Sequence, residues 1–157
     1  MSWQPHRILT VCKGGHCRAP LAAAVLAHHG GDTVQTRAAA VRDWHIGEPA
    51  HPVMVEVARQ RGYDLRPHRG VQVDPELVLW ADTVIAMDQA VYDALRRLAS
   101  PPTLQLFAEH DVPDPWQQPR DAFEVCVSVV EQGAVRQLAQ LSGRAPGNPP
   151  VAPGWSC

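Results

Sequence analysis

The order of apolar segments predicts an α/β fold in which a parallel sheet carries helices on both faces. Three observations support this fold class. Short β-branched runs alternate with helix-forming segments, glycines and prolines separate them, and no internal repeat is present. Strands that alternate with helices form parallel sheets, because each return of the chain passes through a helix that packs on the sheet.

Four segments are predicted to be strands: residues 7–12, 33–39, 82–88 and 103–107. The first is an apolar run that ends in a glycine pair, which is typical of a buried strand entering a loop. Helices are predicted over residues 21–28, 52–61, 89–99 and 121–141. Pro20 is expected at the first helical position and Gly30 after the last turn, the usual asymmetry of helix ends. Residues 111–119 are rich in Asp and Pro and should form a loop.

Length and composition indicate one domain. The chain has 157 residues, of which 45% are hydrophobic and 19% charged, and its net charge is -2. This composition suits one packed core and gives no basic surface for nucleic acid. We expect a single domain over residues 1–143 and a flexible Pro- and Gly-rich tail over residues 144–157.

The sequence is expected to be that of a cytoplasmic protein. Residues 1–6 are polar and lack the apolar run of a signal peptide, and no apolar stretch approaches the length of a membrane span. The cysteines do not resemble a secreted disulfide framework; they are Cys12, Cys17, Cys126 and Cys157. No membrane contact is predicted.

A Cys-x5-Arg motif connects the first strand to the first helix, from Cys12 to Arg18. Five intervening residues can curl the backbone so that successive N–H groups point inward and bind an anion at the helix N-terminus. Arg18 can bind two phosphate oxygens, and the same positive field lowers the pKa of Cys12. The motif predicts a thiolate nucleophile in a phosphate-binding loop, whose other substrate-binding residues are Lys13, Gly14, Gly15, His16 and Cys17.

A thiolate under a phosphate ester is placed for attack on phosphorus, which forms a phosphocysteine that water later hydrolyses. The leaving oxygen then needs a proton from an acid opposite the cysteine. Asp114 is the candidate, because prolines on both sides stiffen its loop. The alternative for Asp114 is an ordinary turn residue, since Asp-Pro is common in turns.

The segment Val-Cys-Lys-Gly-Gly-His-Cys-Arg-Ala-Pro at residues 11–20 resembles the phosphate loop of low-molecular-weight protein tyrosine phosphatases, usually Val-Cys-x-Gly-Asn-x-Cys-Arg-Ser-Pro. The similarity continues in the family's order through residues 44–49, 62–69, 84–88 and 113–116. It covers about residues 6–141, nearly everything but the tail.

The resemblance implies a four-stranded parallel sheet flanked by helices and hydrolysis of phosphomonoesters without metal or cofactor. It assigns the same roles to Cys12, Arg18 and Asp114. It also suggests that Trp44 and Trp116 form aromatic walls beside the phosphate, which would favour phosphotyrosine or a similar aryl phosphate on a protein or small molecule.

Three positions depart from the family pattern. Gly15, Ala19 and Ala38 replace an Asn and two Ser which, with a histidine matching His68, brace the phosphate loop. Gly15 tolerates the backbone that Asn would adopt, but a serine hydroxyl at position 19 would stabilise the thiolate by about 1.5–3 kcal/mol. We expect slow turnover with accumulation of phosphocysteine. Lys13 and His16 should add positive charge that suits an anionic substrate.

Alternative functions remain open at this point. The chain could act on a small-molecule phosphate or in arsenate reduction, although Cys126 and Cys157 are poorly placed for a disulfide relay. It could also be a non-catalytic phosphate-binding module. Cys17 either packs or forms a reversible disulfide with Cys12, whereas a zinc site from these two and His16 lacks a second ligand pair. Cys126 is expected in the core.

Overall fold

The computed structural model describes residues 4–14, 16–99 and 103–141. Strands and helices alternate along the chain, and a short 3-10 turn, Gly31–Thr33, precedes the second strand. The strands are β1 His6–Cys12, β2 Val34–Ala40, β3 Thr83–Ala86 and β4 Leu104–Leu106. The helices are α1 Arg18–Gly30, α2 Pro52–Gln60, α3 Pro75–Trp80, α4 Gln89–Leu98 and α5 Arg120–Leu141.

All four strands are parallel and lie in the order β2-β1-β3-β4. β1 pairs with β2 along its whole length, from His6 opposite Val34 to Cys12 opposite Ala40. β3 pairs with the other side of β1, so β1 is an inner strand with neighbours on both edges. The prediction of a four-stranded parallel α/β sheet is confirmed.

Successive residues of β1 point to opposite faces of the sheet and enter two separate cores. Ile8 packs in the core that contains Phe123 of α5, together with residues of α1 and α2. Leu9 packs in the core that contains Val78 of α3 and Val91 of α4. Burial of these apolar faces holds the helices on both sides of the sheet, at roughly 25 cal/mol per Å² removed from water.

The parallel strands bring their carboxyl ends to one edge of the sheet. β1 ends at Cys12 and α1 begins at Arg18, so the predicted phosphate loop lies at this edge beside a helix N-terminus. Ligands of open parallel sheets bind at this edge, because loops from neighbouring strands converge there.

The first helix differs from its prediction. α1 begins at Arg18, so Pro20 is its third residue rather than its first. Proline is tolerated throughout the first turn, because N–H groups there have no acceptor within the helix. α1 also continues two residues beyond the predicted end, to Gly30.

α3 was not predicted. The sequence carries its start signal: Pro75 is its first residue, and the Asp74 side chain accepts a hydrogen bond from Leu77 N–H at 2.7 Å. None of the described helices is long and apolar enough to cross a bilayer. The predicted tail, residues 144–157, lies outside the described residues, as does Cys157.

A substitution in α5 tests the packing of this helix on the sheet. Gly133 lies against buried Phe107, and a Cβ added there would be 2.2 Å from Cε2 of that ring. We expect Gly133→Ala to lower the free energy of unfolding by about 1–2 kcal/mol, because overpacking exceeds the gain in helix propensity. Urea denaturation measures this change. Gln132→Ala is the control, since Gln132 is exposed on the same helix; equal stabilities of the two variants would contradict the packing argument.

Candidate active site

The phosphate loop is held from outside by main-chain hydrogen bonds. Three of its carbonyl oxygens accept from the loop between β2 and α2: Cys12 from Val41 (3.0 Å), Lys13 from Arg42 (2.9 Å) and His16 from His51 (2.9 Å). These bonds fix the backbone of the phosphate loop against its neighbour. Gly15, which was predicted to bind substrate, lies outside the described residues.

Arg18 is the first residue of α1, and its guanidinium is buried at the base of the loop. Its Nη1 donates to Oδ2 of Asp88 at 2.8 Å and to the carbonyl of Val112 at 3.0 Å. Its Nη2 lies 3.7 Å from Oδ2 of Asp114. Burial alone would lower the pKa of Arg18, but the neighbouring Cys12 and Asp88 raise that pKa above its usual value. Arg18 is therefore a permanent cation at this position.

Asp114 uses its two carboxylate oxygens differently. Oδ1 accepts a hydrogen bond from the N–H of Trp116 at 3.1 Å, as an aspartate does in a turn. Oδ2 faces Arg18, and the side chain is 46% exposed. The turn interpretation therefore describes Oδ1, whereas Oδ2 faces the site, and the role of Asp114 as the acid stays a prediction.

The predicted residues surround one cavity of about 270 Å³. Trp44 in the loop after β2 and Trp116 in the loop after β4 are 54% and 44% exposed and line it from separate loops. The other predicted residues in its lining are Cys12, Lys13, Gly14, His16, Cys17, Arg18 and Asp114. Every predicted site residue that the structure describes therefore borders the same space.

Two further thiols lie close to the loop. Cys17 is the N-cap residue of α1 and is buried, and burial, followed by the nearby Asp114 charge, raises its pKa. Cys126 lies in the core, as expected, where burial raises its pKa to about 12. Both thiols are protonated at neutral pH, unlike a reactive cysteine. The reversible disulfide between Cys17 and Cys12 stays a prediction.

Histidines form a cluster beside the loop that the sequence did not reveal. His16 stacks on His45 with ring centroids 4.0 Å apart, and His51 approaches the edge of His16 at 5.2 Å. Burial, and then the neighbouring His45 and His51, lower the pKa of His16 to about 4. His16 is therefore neutral at neutral pH, and the expectation that it adds positive charge is wrong.

The bracing of the loop also differs from expectation. Ala38 lies within β2, inside the predicted strand, opposite Thr10 of β1. The hydroxyl of Thr10 is fully buried and donates to the carbonyl of Ala19 at 2.9 Å. Ala19 offers no hydroxyl, so a threonine on β1 ties the first turn of α1 to the sheet instead. His68 borders a separate surface groove together with Ala38.

Asp88 and His45 are the site residues that sequence reasoning missed. Asp88 ends a recognisable segment, and its position just before α4 marks it as a helix cap. No pattern in the sequence indicates its hydrogen bond to Arg18, because the two residues are 70 positions apart in the chain. Within residues 4–14, 16–99 and 103–141, no group of three His, Cys, Asp or Glu side chains is arranged to hold a metal ion.

A buried arginine and a cysteine joined by a short loop at a helix N-terminus define a phosphate site of the cysteine-dependent type. The sequence model of the low molecular weight phosphotyrosine protein phosphatases matches residues 7–145. The chain belongs to this family, and the prediction of a cysteine-dependent phosphatase is confirmed. Such an enzyme acts on phosphorylated substrates. The arsenate reductase-like and non-catalytic alternatives are not favoured.

Individual relatives agree with this assignment. The chain is 34% identical to a low molecular weight protein-tyrosine-phosphatase of Streptomyces coelicolor, over 89% of this chain and 98% of that protein. It is 32% identical to the low molecular weight protein-tyrosine-phosphatase Wzb of Salmonella typhi, over 92% of this chain and 99% of that protein.

Solved structures of relatives share the fold. The structure of Vibrio vulnificus Wzb in complex with benzylphosphonate superposes with a TM-score of 0.80 at 26% identity, over 84% of this chain and 96% of that one. The structure of YfkJ from Bacillus subtilis superposes with a TM-score of 0.82 at 25% identity, over 91% of this chain and 98% of that one.

The histidine cluster predicts a pH dependence of stability. As the pH falls from about 6.5 to about 4, the unfolded chain binds a proton at His16 that the folded protein does not, so the free energy of unfolding decreases. In His16→Asn, the free energy of unfolding should depend on pH less steeply, by an amount that corresponds to the uptake of up to about one proton on unfolding. Urea denaturation of both proteins across this range measures the difference. At neutral pH, the difference in the free energy of unfolding between the two proteins gives the packing contribution of His16 alone. Curves of this free energy against pH that run parallel for the two proteins would contradict a neutral His16.

Proposed function

We propose that the protein hydrolyses phosphotyrosine or a similar aryl phosphate, with Cys12 as nucleophile, Arg18 as phosphate clamp and Asp114 as general acid. One observation carries this proposal: these three residues and two exposed tryptophans, supplied by separate loops, border one cavity. The family supports the type of chemistry, and the lining of the cavity supports the roles and the aryl substrate.

Phosphate binding follows from how Arg18 and the loop are held. Asp88 and Val112 engage Nη1 of Arg18, which leaves Nη2 and Nε as donors for phosphate oxygens. The carbonyls of Cys12, Lys13 and His16 are occupied by hydrogen bonds from the neighbouring loop, and we infer that N–H groups of the phosphate loop bind the same anion. Both sets of donors lie at the N-terminus of α1, whose dipole also favours negative charge.

Two displacements complete the reaction. The Cys12 thiolate forms a bond to phosphorus while the bond to the leaving oxygen breaks, and the Asp114 carboxyl gives that oxygen its proton. Water then attacks the phosphocysteine, the Asp114 carboxylate accepts a proton from it, and the Cys12 thiolate leaves with the electrons of the P–S bond. Oδ2 of Asp114 faces Arg18, so the acid stands on the side of the bound phosphate.

The aromatic walls favour an aryl leaving group. Trp44 and Trp116 line the cavity and are about half exposed, and we infer that their faces enclose a phenyl ring bonded to the phosphate. The similar Wzb of Vibrio vulnificus was solved with benzylphosphonate, a phosphonate that carries a phenyl ring. We propose that the cavity of this chain likewise accepts an aryl group next to the phosphate, and that the substrate is a phosphorylated protein.

A cytoplasmic location suits this mechanism. Cys12 must stay reduced to act as nucleophile, and a second thiol, Cys17, lies in the same loop. Cytosolic glutathione and thioredoxin keep such thiols reduced, whereas oxidising compartments do not.

Substitution of the nucleophile and of the acid tests the roles. Cys12→Ser should abolish turnover of para-nitrophenyl phosphate while phosphate binding persists. Asp114→Asn should slow hydrolysis of phenyl phosphate by about 10²–10⁴-fold, and para-nitrophenyl phosphate less, because its better leaving group needs the proton less. Steady-state kinetics measure both effects. Glu109→Gln is the control, because Glu109 is an exposed carboxylate between β4 and α5. Equal losses of activity in Asp114→Asn and Glu109→Gln would contradict the role of Asp114 as general acid.

The missing hydroxyl at Ala19 predicts slow breakdown of the phosphocysteine. Without that donor the Cys12 thiolate is a poorer leaving group, at a cost of about 1.5–3 kcal/mol, or about tenfold or more in rate. Rapid-quench kinetics on para-nitrophenyl phosphate should show a burst, and Ala19→Ser should raise the steady-state rate. Ala27→Ser, on the exposed side of α1, is the control. A wild-type enzyme without a burst, and no gain from the serine, would contradict this account.

A further inference from the structure

A second cavity of about 260 Å³ adjoins the phosphate site. Its charged lining consists of Lys13, Arg42, Arg97 and Asp88, and we call it the cationic pocket. Lys13 borders both this pocket and the phosphate cavity. Asp88 connects the two at their base, since it lines the cationic pocket and bonds to Arg18. The cationic pocket therefore lies directly beside the phosphate loop.

The cationic pocket has an excess of positive charge. Asp88 is its only acidic residue, and both of its oxygens are used: Oδ2 accepts from Arg18 at 2.8 Å and Oδ1 from the N–H of Val91 at 2.8 Å. Within the described part of the chain, none of Lys13, Arg42 and Arg97 forms an ion pair with a carboxylate. Three cations thus face one cavity, and no carboxylate among the described residues pairs with them.

Two of these cations are held beside the substrate cavity. The N–H of Arg42 donates to the carbonyl of Lys13 at 2.9 Å, which fixes the two backbones together. Nζ of Lys13 lies 5.4 Å and Cζ of Arg42 lies 5.9 Å from the ring centroid of Trp44. Such cation–π contacts restrict flexible side chains. Trp44 lines the phosphate cavity, so its ring joins the two spaces.

The third cation comes from a different element. Arg97 is in the last turn of α4, which buried Val91 and Leu95 anchor to the sheet. Arg96, the preceding residue, is equally exposed but does not line the pocket. Arg97 therefore lines the pocket because of its position on the face of α4 that borders the pocket, and an arginine elsewhere in the same turn does not.

We propose that the cationic pocket binds a second anionic group of the phosphorylated substrate, so that the enzyme prefers phosphotyrosine with a carboxylate or another phosphate nearby in the peptide. This inference rests on the proposed function, because it presumes an aryl phosphate at Cys12. A carboxylate and a phosphate can each accept hydrogen bonds from the planar guanidinium groups of Arg42 and Arg97 and from the ammonium group of Lys13.

The test compares three phosphotyrosine peptides that differ only beside the phosphotyrosine: neutral residues, glutamates, or a second phosphorylated residue. The wild type should show the highest kcat/KM on one or both anionic peptides. Arg97→Gln should lower kcat/KM on those peptides by about threefold to tenfold, as expected of a partly exposed ion pair with phosphate or carboxylate, and should leave the neutral peptide unchanged. Added salt should reduce the wild-type preference.

Arg96→Gln removes the same charge from the same turn and is the matched control. A loss in Arg97→Gln that Arg96→Gln lacks supports the cationic pocket, and the peptide that loses more identifies carboxylate or phosphate as the preferred group. Equal kinetics of the two variants on every peptide would overturn the inference while leaving the proposed function intact. Failure of the wild type to hydrolyse any of the peptides, including the neutral one, would instead overturn the proposed function.

Discussion

The buried ion pair between Arg18 and Asp88 is the interaction on which the rest of the site depends. The two side chains are 4% and 16% exposed, and their nearest atoms are 2.8 Å apart. Removing a guanidinium from water costs several kcal/mol, and the Asp88 carboxylate and the carbonyl of Val112 offset this cost by pairing with it. The pair joins the starts of α1 and α4 to the loop that carries Asp114. Three separate segments are thereby oriented around one charge.

Burial sorts the other polar groups of the site into those that carry charge and those that do not. Burial, and then the neighbouring His45 and His51, keep His16 neutral, and burial keeps Cys17 protonated. Positive charge is left to Arg18 within the loop and to Lys13 at its rim. A phosphate dianion therefore meets the buried Arg18 cation, and His16 adds no positive charge to its binding at neutral pH.

The sequence predicted what is local and missed what the sheet brings together. β1 and the Cys12–Arg18 loop were predictable, because the strand, the glycines, the helix and the reactive residues are adjacent in the chain. The partners of Arg18 were not, since Asp88 and Val112 are 70 and 94 residues away and meet it only in the strand order β2-β1-β3-β4. α3 has only six residues, too few to show a helical period. Thr10 has the β propensity of any strand residue, so its buried hydroxyl gave no signal.

The two ends of the proposed reaction are anchored unequally. Cys12 ends an inner strand of seven residues, whereas Asp114 follows β4, an edge strand of three residues that are all half-buried. Buried Val112 anchors the loop of Asp114, but the acid itself is 46% exposed whereas Cys12 is buried, so the acid has more positional freedom than the sulfur. We expect an enzyme with this asymmetry to be strict about the group that it transfers and to accept alcohols of different size as leaving groups. Divergence among its relatives should accordingly concentrate on the β4 side of the cleft.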